Sequence, residues 1–445
     1  MTINHRLGPL FTDLYELTMA AGYFDRRLFE TATFSLFIRN YPPQRNFFVA
    51  AGLQDCLYEL ESLRFNEEDI SFLSDTDLFR ADFLSYLKQL RFTGDVHSLP
   101  EGTIFFANEP ILEITAPLIE AQIVETFLLN TIGFQTLIAS KAARCVHSAS
   151  GRQLIDFSLR RTQGHDAGIK VARSTHIAGF DGTSNVLAGK EYGIPISGTM
   201  AHSYVQAFGG DFEAFTSYAD TFPNNAVFLI DTFDTLKGAS EAVKVARQMK
   251  QKGHTLRGVR LDSGDMIRLS QQVRYFLDEA GLEEVKIFAS GGFDEFKINQ
   301  ALVEGAAIDA FGVGTSLGVS ADAPFADIVY KMVRYGQRHV RKFSPGKESL
   351  GGKKQVFRFL QENGFYLKDT IGLRSENFSS GSALLEPVML SGRMIQPYPT
   401  LQEIRHHFKA NFAVFPNEYK DLSARIKYPV EVSPRLRDLQ PTLLA

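Results

Sequence analysis

Tryptophan is absent from this chain of 445 residues, and cysteine occurs twice, at Cys56 and Cys145. Two widely separated thiols build neither a disulfide framework nor a zinc cage, and they suit a reducing compartment, so the cytoplasm is the expected location. A strong excess of one charge sign is also missing, with 47 Lys and Arg against 51 Asp and Glu and a formal net charge of -4. That balance gives no electrostatic reason to expect nucleic acid or an anionic membrane as partner, although a small anion needs only a local positive site. No apolar run approaches the roughly 18 residues of a membrane span. The opening MTINHRLGPLFTDLYELTMA has polar breaks where a signal segment needs its apolar stretch. What is present is apolar mass: hydrophobic residues make up 44% of the chain and phenylalanine alone contributes 38. A large core is expected, divided among two or three domains.

Near the start, Thr12 or Asp13 is placed to cap a helix whose apolar face carries Leu14, Leu17 and Ala21, with Tyr15 off that stripe. Thr33 to Arg39 alternates as a half-buried strand does, Ile104–Phe106 and Ile111–Ile114 read as short strands, and Ala116 to Ser148 is helix-like. Residues 1–130 are therefore expected to form a mixed α/β domain. The segment 131–329 has a more regular rhythm. Leu154–Phe157, Ile194–Ser197, Ala226–Ile230, Leu256–Leu261, Val285–Ala289 and Ile308–Val313 are apolar runs of buried-strand type, separated by helical patterns. Leu236, Ala239, Val243, Ala246 and Met249 make one helical stripe, ending at Gly253; Met266, Leu269, Val273, Phe276 and Ala280 make the next, ending at Gly281. Such alternation predicts a parallel sheet, closed into a barrel or doubly wound.

The positions of the polar residues favour the barrel. Arg160 and Arg161, Thr183-Ser184, His202, Asp231, Arg260 with Asp262, Gly291-Gly292, and Gly312, Gly314, Thr315 and Ser316 each follow an apolar run. In a (β/α) barrel those positions share one rim, where active sites are built and where the loops after the last two strands bind phosphate. The stretch GFDGTSNVLAGKEYGIPISGTMAHSYV, Gly179 to Val205, supplies two small-residue turns able to present backbone N–H groups to an anion. His202 at its far edge is placed to accept a phosphoryl group as a covalent nucleophile. The plainer reading is a pair of helix caps and a first-turn histidine. From 330 to 445 the chain is first basic, where Lys342, Lys347, Lys353 and Lys354 suit either an anionic ligand or a solvated face, and then helical after Thr400. His406 and His407 are adjacent on that helix and do not face one ligand, so no metal site is expected.

Taken together, TDLYELTMA, FSLRRTQG, GTSNVLAGKEYGIPISGTMAHSYVQAF, LIDTFDT, GVRLDSGD, IFASGGFDE, FGVGTSL, KESLGGKKQVFR and SGRMIQPYPTLQEIR resemble the nicotinate phosphoribosyltransferase family from about residue 9 to residue 425. The resemblance implies the type II phosphoribosyltransferase fold, an irregular (β/α) barrel with a mixed α/β N-terminal domain and a C-terminal extension, 330–445, that partly packs back on that domain. It implies an ATP-assisted condensation of nicotinate with 5-phosphoribosyl 1-diphosphate, giving nicotinate mononucleotide and pyrophosphate.

Carried onto this sequence, the resemblance makes His202 the phosphorylated histidine and Asp231 the acid that orients its ring. Phe157 becomes the stacking aromatic, Arg160 the carboxylate grip, and Tyr15 an aromatic delivered from the second subunit of a homodimer. Arg260 and Asp262 would contact pyridine and ribose, while Gly291, Gly292, Gly314 and Thr315 would cradle the ribose phosphate. Mg2+ would arrive with the diphosphate and ATP, without a protein ligand cluster of its own. Ser184 bears on acid against amide, because a hydroxyl donates to a carboxylate where an aspartate would repel it. The GGKKQ block lacks the proline expected before its glycine, which puts that loop's geometry in question. A nicotinamide or quinolinate enzyme of the same core remains an alternative. So do a sugar-phosphate aldolase or isomerase, although Lys170 and Lys190 lie in helical runs, and a non-catalytic nucleotide sensor.

Overall fold

A computed structural model of the chain describes residues 8–423 and 426–443. The first seven residues of the stretch read for a signal segment, and Arg425 at the end of the resembling region, lie outside the described residues. Contacts divide the chain into two units, Lys141–Ala321 and Met1–Ser140 with Asp322–Ala445. The boundaries thus fall at 140 and 321, where the sequence reading put them at 130 and 329. One helix, Glu125–Ala149, carries the chain across the first boundary without a linker, and no composition change marks it.

In the unit Lys141–Ala321 the apolar runs pair in parallel. The strands are β1 (Gln153–Asp156), β2 (Gly182–Thr183), β3 (Val227–Leu229), β4 (Gly258–Leu261), β5 (Lys286–Ala289) and β6 (Ala310–Val313), in the order β2-β1-β6-β5-β4-β3. Ile194–Ser197, expected as a strand, contributes only an isolated bridge between Thr183 and Ile196. The short strand is instead Gly182–Thr183, hidden in a sequence of turn-forming residues. Its glycine has the carbonyl of Pro195 where a Cβ would stand, 2.7 Å away, so no larger residue fits this crossing.

Helices Thr235–Gln251 and Met266–Glu279 end where expected, before Gly253 and Gly281. Ala239, Ala246 and Met249 of the first are buried as predicted, joined by Gly238, Ala242 and Val245, whereas Leu236 and Val243 are only half-buried. These faces pack with Phe228, Leu229, Val259, Leu261 and Ile287 of the strands in one core. Three helices begin on an aspartate whose side chain accepts from its own first turn: Asp234 from Lys237 N–H at 2.9 Å, Asp265 from Arg268 N–H at 3.1 Å and Asp294 from Lys297 N–H at 2.9 Å. Each such cap contributes about 1 kcal/mol. Two βα loops therefore carry an acid pair three residues apart, Asp231/Asp234 and Asp262/Asp265. The second acid starts the helix, which leaves the first for the strand end.

The other unit is built on a seven-stranded antiparallel sheet that mixes distant parts of the sequence. Thr31–Ile38 lies between Ile328–Tyr335 and Pro110–Pro117, and Asp95–Ser98 is followed across the sheet by Glu386–Leu390. Because Thr31–Ile38 is central and covered on both faces, it is buried from Ala32 onward and not half-buried as its alternation suggested. Its polar Thr33 meets Thr115 Oγ1 at 3.0 Å. At the first helix, Leu14–Asp25, the predicted cap residues serve other partners, since Asp13 makes no side-chain cap. Thr12 instead donates to Glu16 at 2.6 Å.

Helix Leu401–Val414 does open on a full capping box between Thr400 and Glu403. On it His406 is exposed, and His407 stands 3.0 Å from Thr103 Oγ1. Lys354, expected to be available to an anion, is buried and paired with Glu113 at 3.1 Å, because GGKKQ opens a central strand, Lys354–Leu360. One helical stretch, Leu118–Ala149, is long and apolar enough to cross a membrane by length and composition, contrary to the run-length reading. Of its apolar window 72% is buried within the protein, which accounts for that composition.

Candidate active site

The carboxyl ends of the parallel strands fix most of the predicted residues. Strand β4 alternates, so Val259 and Leu261 are fully buried in the core while Arg260 projects the other way. Its guanidinium donates to Thr199 Oγ1, and to the carbonyl of Met200 at 3.1 Å, tying the strand end to the turn before His202. Burial pulls the Arg260 pKa down, while Asp262 and Asp231 push it up and Arg160 opposes them. That last influence places the Arg160 charge close enough to be felt at Arg260. Arg160 itself is exposed on a short turn, Leu159–Arg161, with no ion pair among the described residues.

His202 is the first residue of its helix. Its Nδ1 stands 3.1 Å from Thr232 Oγ1 and its Nε2 3.9 Å from Asp262 Oδ2, with side-chain exposures of 41% and 33% for His202 and Asp262. The expected hydrogen bond from Asp231 to the ring is therefore not formed, and the neighbouring hydroxyl makes it instead. Asp231 is engaged elsewhere, its Oδ2 accepting from Asp262 N–H at 2.9 Å and Ser263 Oγ at 2.7 Å. The Oδ1 of Asp231 and the Nε of Arg260 are buried without a partner. Two unsatisfied groups of opposite charge at one strand rim are suited to a polar ligand. Asp262 Oδ1 accepts from Ser290 Oγ, which links β4 to the loop after β5. In that loop Gly291 has φ +96, and a Cβ there would stand 2.1 Å from the carbonyl of Asp262, so only glycine allows the approach.

Phe157 continues from β1 and donates its N–H to Val313 at 2.8 Å. Its ring packs over Gly312, where a Cβ would lie 2.4 Å from the ring and 3.3 Å from Ser290 Cβ. Gly312 thus joins the Phe157 side of the rim to the Ser290–Asp262–His202 side. Gly314 meets the Phe157 carbonyl, Thr315 opens the short helix Thr315–Gly318, and Gly292 is exposed beside Gly291. Ser184 directs its N–H to the Asp156 carbonyl at 2.8 Å, and its hydroxyl makes no hydrogen bond among the described residues. Eleven of the twelve predicted positions accordingly lie in the unit Lys141–Ala321, ten of them at or just after its strands and His202 at the start of helix His202–Ala207. Tyr15 is in the other unit, on helix Leu14–Asp25, and is 46% exposed. Burial and the nearby Glu125 and Glu16 raise its pKa.

Comparison with known proteins bears on this arrangement. Models of the nicotinate phosphoribosyltransferase N-terminal domain, the nicotinate phosphoribosyltransferase family and the nicotinate phosphoribosyltransferase C-terminal domain match residues 10–133, 152–335 and 378–440. Nicotinate phosphoribosyltransferase pncB2 of Mycobacterium tuberculosis is 47% identical over 438 residues, covering 98% of this chain and 94% of that protein. The chain belongs to the nicotinate phosphoribosyltransferase family.

The Bacillus subtilis nicotinate phosphoribosyltransferase is 37% identical over 455 residues, covering 95% of this chain and 92% of its own. The crystal structure of human nicotinic acid phosphoribosyltransferase superposes with a TM-score of 0.87 at 28% identity, over 97% of this chain and all of that one. Nicotinate-nucleotide pyrophosphorylase from Pyrococcus furiosus does so with 0.74 at 26%, over 90% and 94%. The expected fold, an irregular barrel with a mixed N-terminal domain and a C-terminal region, is the one found.

The sequence reading missed Thr232 and Asp156 among the nicotinate phosphoribosyltransferase rim residues, and took Thr199 only as part of the small-residue turn before His202. Thr232 directly follows the strand-end acid, and Asp156 is the one charge in the apolar run LIDF; either pattern could have singled them out. Among the described residues no cluster of three or more metal-ligating side chains occurs.

Proposed function

We propose that this chain condenses nicotinate with 5-phosphoribosyl 1-diphosphate, in NAD biosynthesis, with assistance from ATP through a phosphohistidine at His202. The observation that carries the reading is the single rim on which His202, Asp262, Arg260 and Phe157 are linked through Ser290 and Gly312. The ring nitrogen of nicotinate is itself the nucleophile. It attacks the anomeric carbon of the ribose as the bond to the diphosphate oxygen breaks, and pyrophosphate leaves with that electron pair. No general base is required. Charge on the ribose builds up as it does in glycoside chemistry, and Asp262 is positioned to offset it.

Arg160 supplies a forked, charge-assisted grip for the nicotinate carboxylate, and the free hydroxyl of Ser184 supplies a donor. Serine there favours the acid over the amide, since an amide would be better met by an acceptor. Phe157 offers one stacking face. Gly291, Gly292, Gly314 and Thr315 would receive the ribose phosphate on backbone N–H groups.

At His202, Thr232 occupies Nδ1 and leaves Nε2 turned toward Asp262. That nitrogen would take the γ-phosphoryl group of ATP, releasing ADP, and later yield it to water. The added charge beside Arg260 would organise the diphosphate region. Mg2+ would be carried largely by the diphosphate, with Asp231, whose Oδ1 is buried without a partner, and the half-exposed Asp262 as the carboxylates able to add to it. When bound, the ion neutralises charge on the departing diphosphate. A homodimer in which Tyr15 covers a partner's pyridine site is supported by the exposed apolar residues Phe11, Leu14, Tyr15 and Met19 at the first helix.

His202→Ala tests the reading. The variant is expected to lose ATP hydrolysis while retaining slow, ATP-independent release of pyrophosphate from nicotinate and 5-phosphoribosyl 1-diphosphate. Acid-labile label from γ-labelled ATP that persists in the alanine protein would remove His202 from the role.

A further inference from the structure

Behind the rim lies a buried acid that touches no cation. Asp156, the last residue of β1, is fully buried and forms no ion pair among the described residues. One carboxylate oxygen accepts from Ser158 N–H at 2.9 Å and from Ser158 Oγ at 2.5 Å; the other accepts from Thr183 Oγ1 at 2.7 Å. Its carbonyl takes the N–H of Ser184 at 2.8 Å. Thr183 Oγ1 in turn accepts from Asn185 N–H at 3.0 Å, and Asn185 Nδ2 reaches the carbonyl of Gly168 at 3.1 Å. One carboxylate thereby fastens the turn that carries Phe157 and Arg160 to the turn that carries Ser184.

We propose that Asp156 is a positioning residue that sets acid-over-amide specificity, by holding the Arg160 and Ser184 turns in register and by directing the hydroxyl proton of Thr183 inward. This rests on the nicotinate reading of the site. An ionised carboxylate only accepts, so Thr183 donates to it and accepts from Asn185, and its one donor proton is spent. Ser184 is then the turn hydroxyl left to donate outward. An asparagine at 156 would bring an N–H2 of its own to Ser158 or Thr183 and could reverse that direction. Burial raises the Asp156 pKa, and three neutral donors counter the rise by holding the charged form. A cation in their place would neutralise the acid without fixing both turns.

Thr183→Val, Thr183→Ser and Asp156→Asn test the assignment, with thermal unfolding confirming that each is folded. Thr183→Val is expected to raise the KM for nicotinate about tenfold or more, as loss of uniform binding does, with kcat and the KM for 5-phosphoribosyl 1-diphosphate within about twofold of the parent. Thr183→Ser, which keeps the hydroxyl, is expected to restore the parental KM. Asp156→Asn is expected to narrow the ratio of nicotinate to nicotinamide use. A folded Thr183→Val protein with parental nicotinate KM, or one in which both substrates' KM values rise together, would overturn the proposal. A folded Asp156→Asn protein with the parental ratio of nicotinate to nicotinamide use would overturn it too, and if that variant does not fold the same ratio is read on Thr183→Val, where an unchanged ratio has the same consequence. A parent enzyme that makes no nicotinate mononucleotide would instead refute the proposed function.

Discussion

In the unit with the seven-stranded sheet, Asp369 and Glu113 are fully buried, and each meets cations. Arg358 forks onto Asp369 at 3.0 and 2.6 Å, while Lys354 and Arg374 meet Glu113 at 3.1 and 2.5 Å. In the parallel-sheet unit, Asp156 is as deeply buried and meets only hydroxyl and amide donors, and Asp231 keeps one buried oxygen unpartnered. Glu295, paired with Lys141 and Arg144, shows that the second unit also uses the first solution away from the rim. The difference separates two uses of a buried charge. Where an acid is neutralised by an internal cation, its field is cancelled and it serves packing and register. At the strand ends Asp156 has no cation among the described residues and its acceptor capacity orders two loops, while Asp231, within reach of the Arg260 charge, keeps one buried oxygen free of any partner.

The largest effect expected from breaking this contrast is at Arg358. Arg358→Met leaves Asp369 buried without its cation beside Glu109, and the loss of one partner of a buried pair costs about 3–5 kcal/mol. Denaturant unfolding should register that loss; a change below about 1 kcal/mol would mean that the pair is not compensating. At the rim, Ser184→Asp tests the opposite rule, by placing an uncancelled charge where the proposed function has the nicotinate carboxylate bind. It should lower kcat/KM for nicotinate by roughly tenfold to 100-fold, about 1.4–2.8 kcal/mol. Unchanged nicotinate kinetics would refute the role of Ser184.

The smallest effect concerns Glu109. It is fully buried, with Oε2 accepting from Phe106 N–H at 2.8 Å and Oε1 without a partner. Burial first, and then Asp369, push its pKa well up, against the pull of Arg358. The folded protein therefore holds this proton more tightly than the unfolded chain does. The associated stability is complete below the unfolded value, about 4.3, and is lost as pH rises from there through the raised folded value. Glu109→Gln keeps an acceptor for Phe106 and removes the titration, so urea midpoints for the variant should fall less between mildly acidic and alkaline pH. Parallel falls in parent and variant would show that Glu109 is not the group responsible.

The contrast also explains what could be read in advance. Strands β3 to β6 are local, largely apolar and parallel, so each announces itself in five or six residues, and the polar residue at or just after its end marks the rim. Asp231, Arg260, Asp262 and Gly291 were legible for that reason. Partners across the rim were not, because Thr232 replaces Asp231 at the His202 ring through a choice of rotamer and reach that spacing does not encode. Gly182–Thr183 was missed because two residues of strand carry no periodicity. In the other unit Lys354 looked like a free cation because Glu113, its partner, is 241 residues away in sequence, and nothing local reveals a pairing of that range. Thr31–Ile38 looked half-buried because its cover comes from distant strands.

Phe233, two residues beyond Asp231, is 60% exposed, in a chain with no tryptophan. An indole placed there by Phe233→Trp would be the sole emitter of its kind in the polypeptide. Its fluorescence would report directly on occupancy of the neighbouring strand ends, so that arrival of each proposed substrate could be timed separately in a stopped-flow cell without attaching a dye.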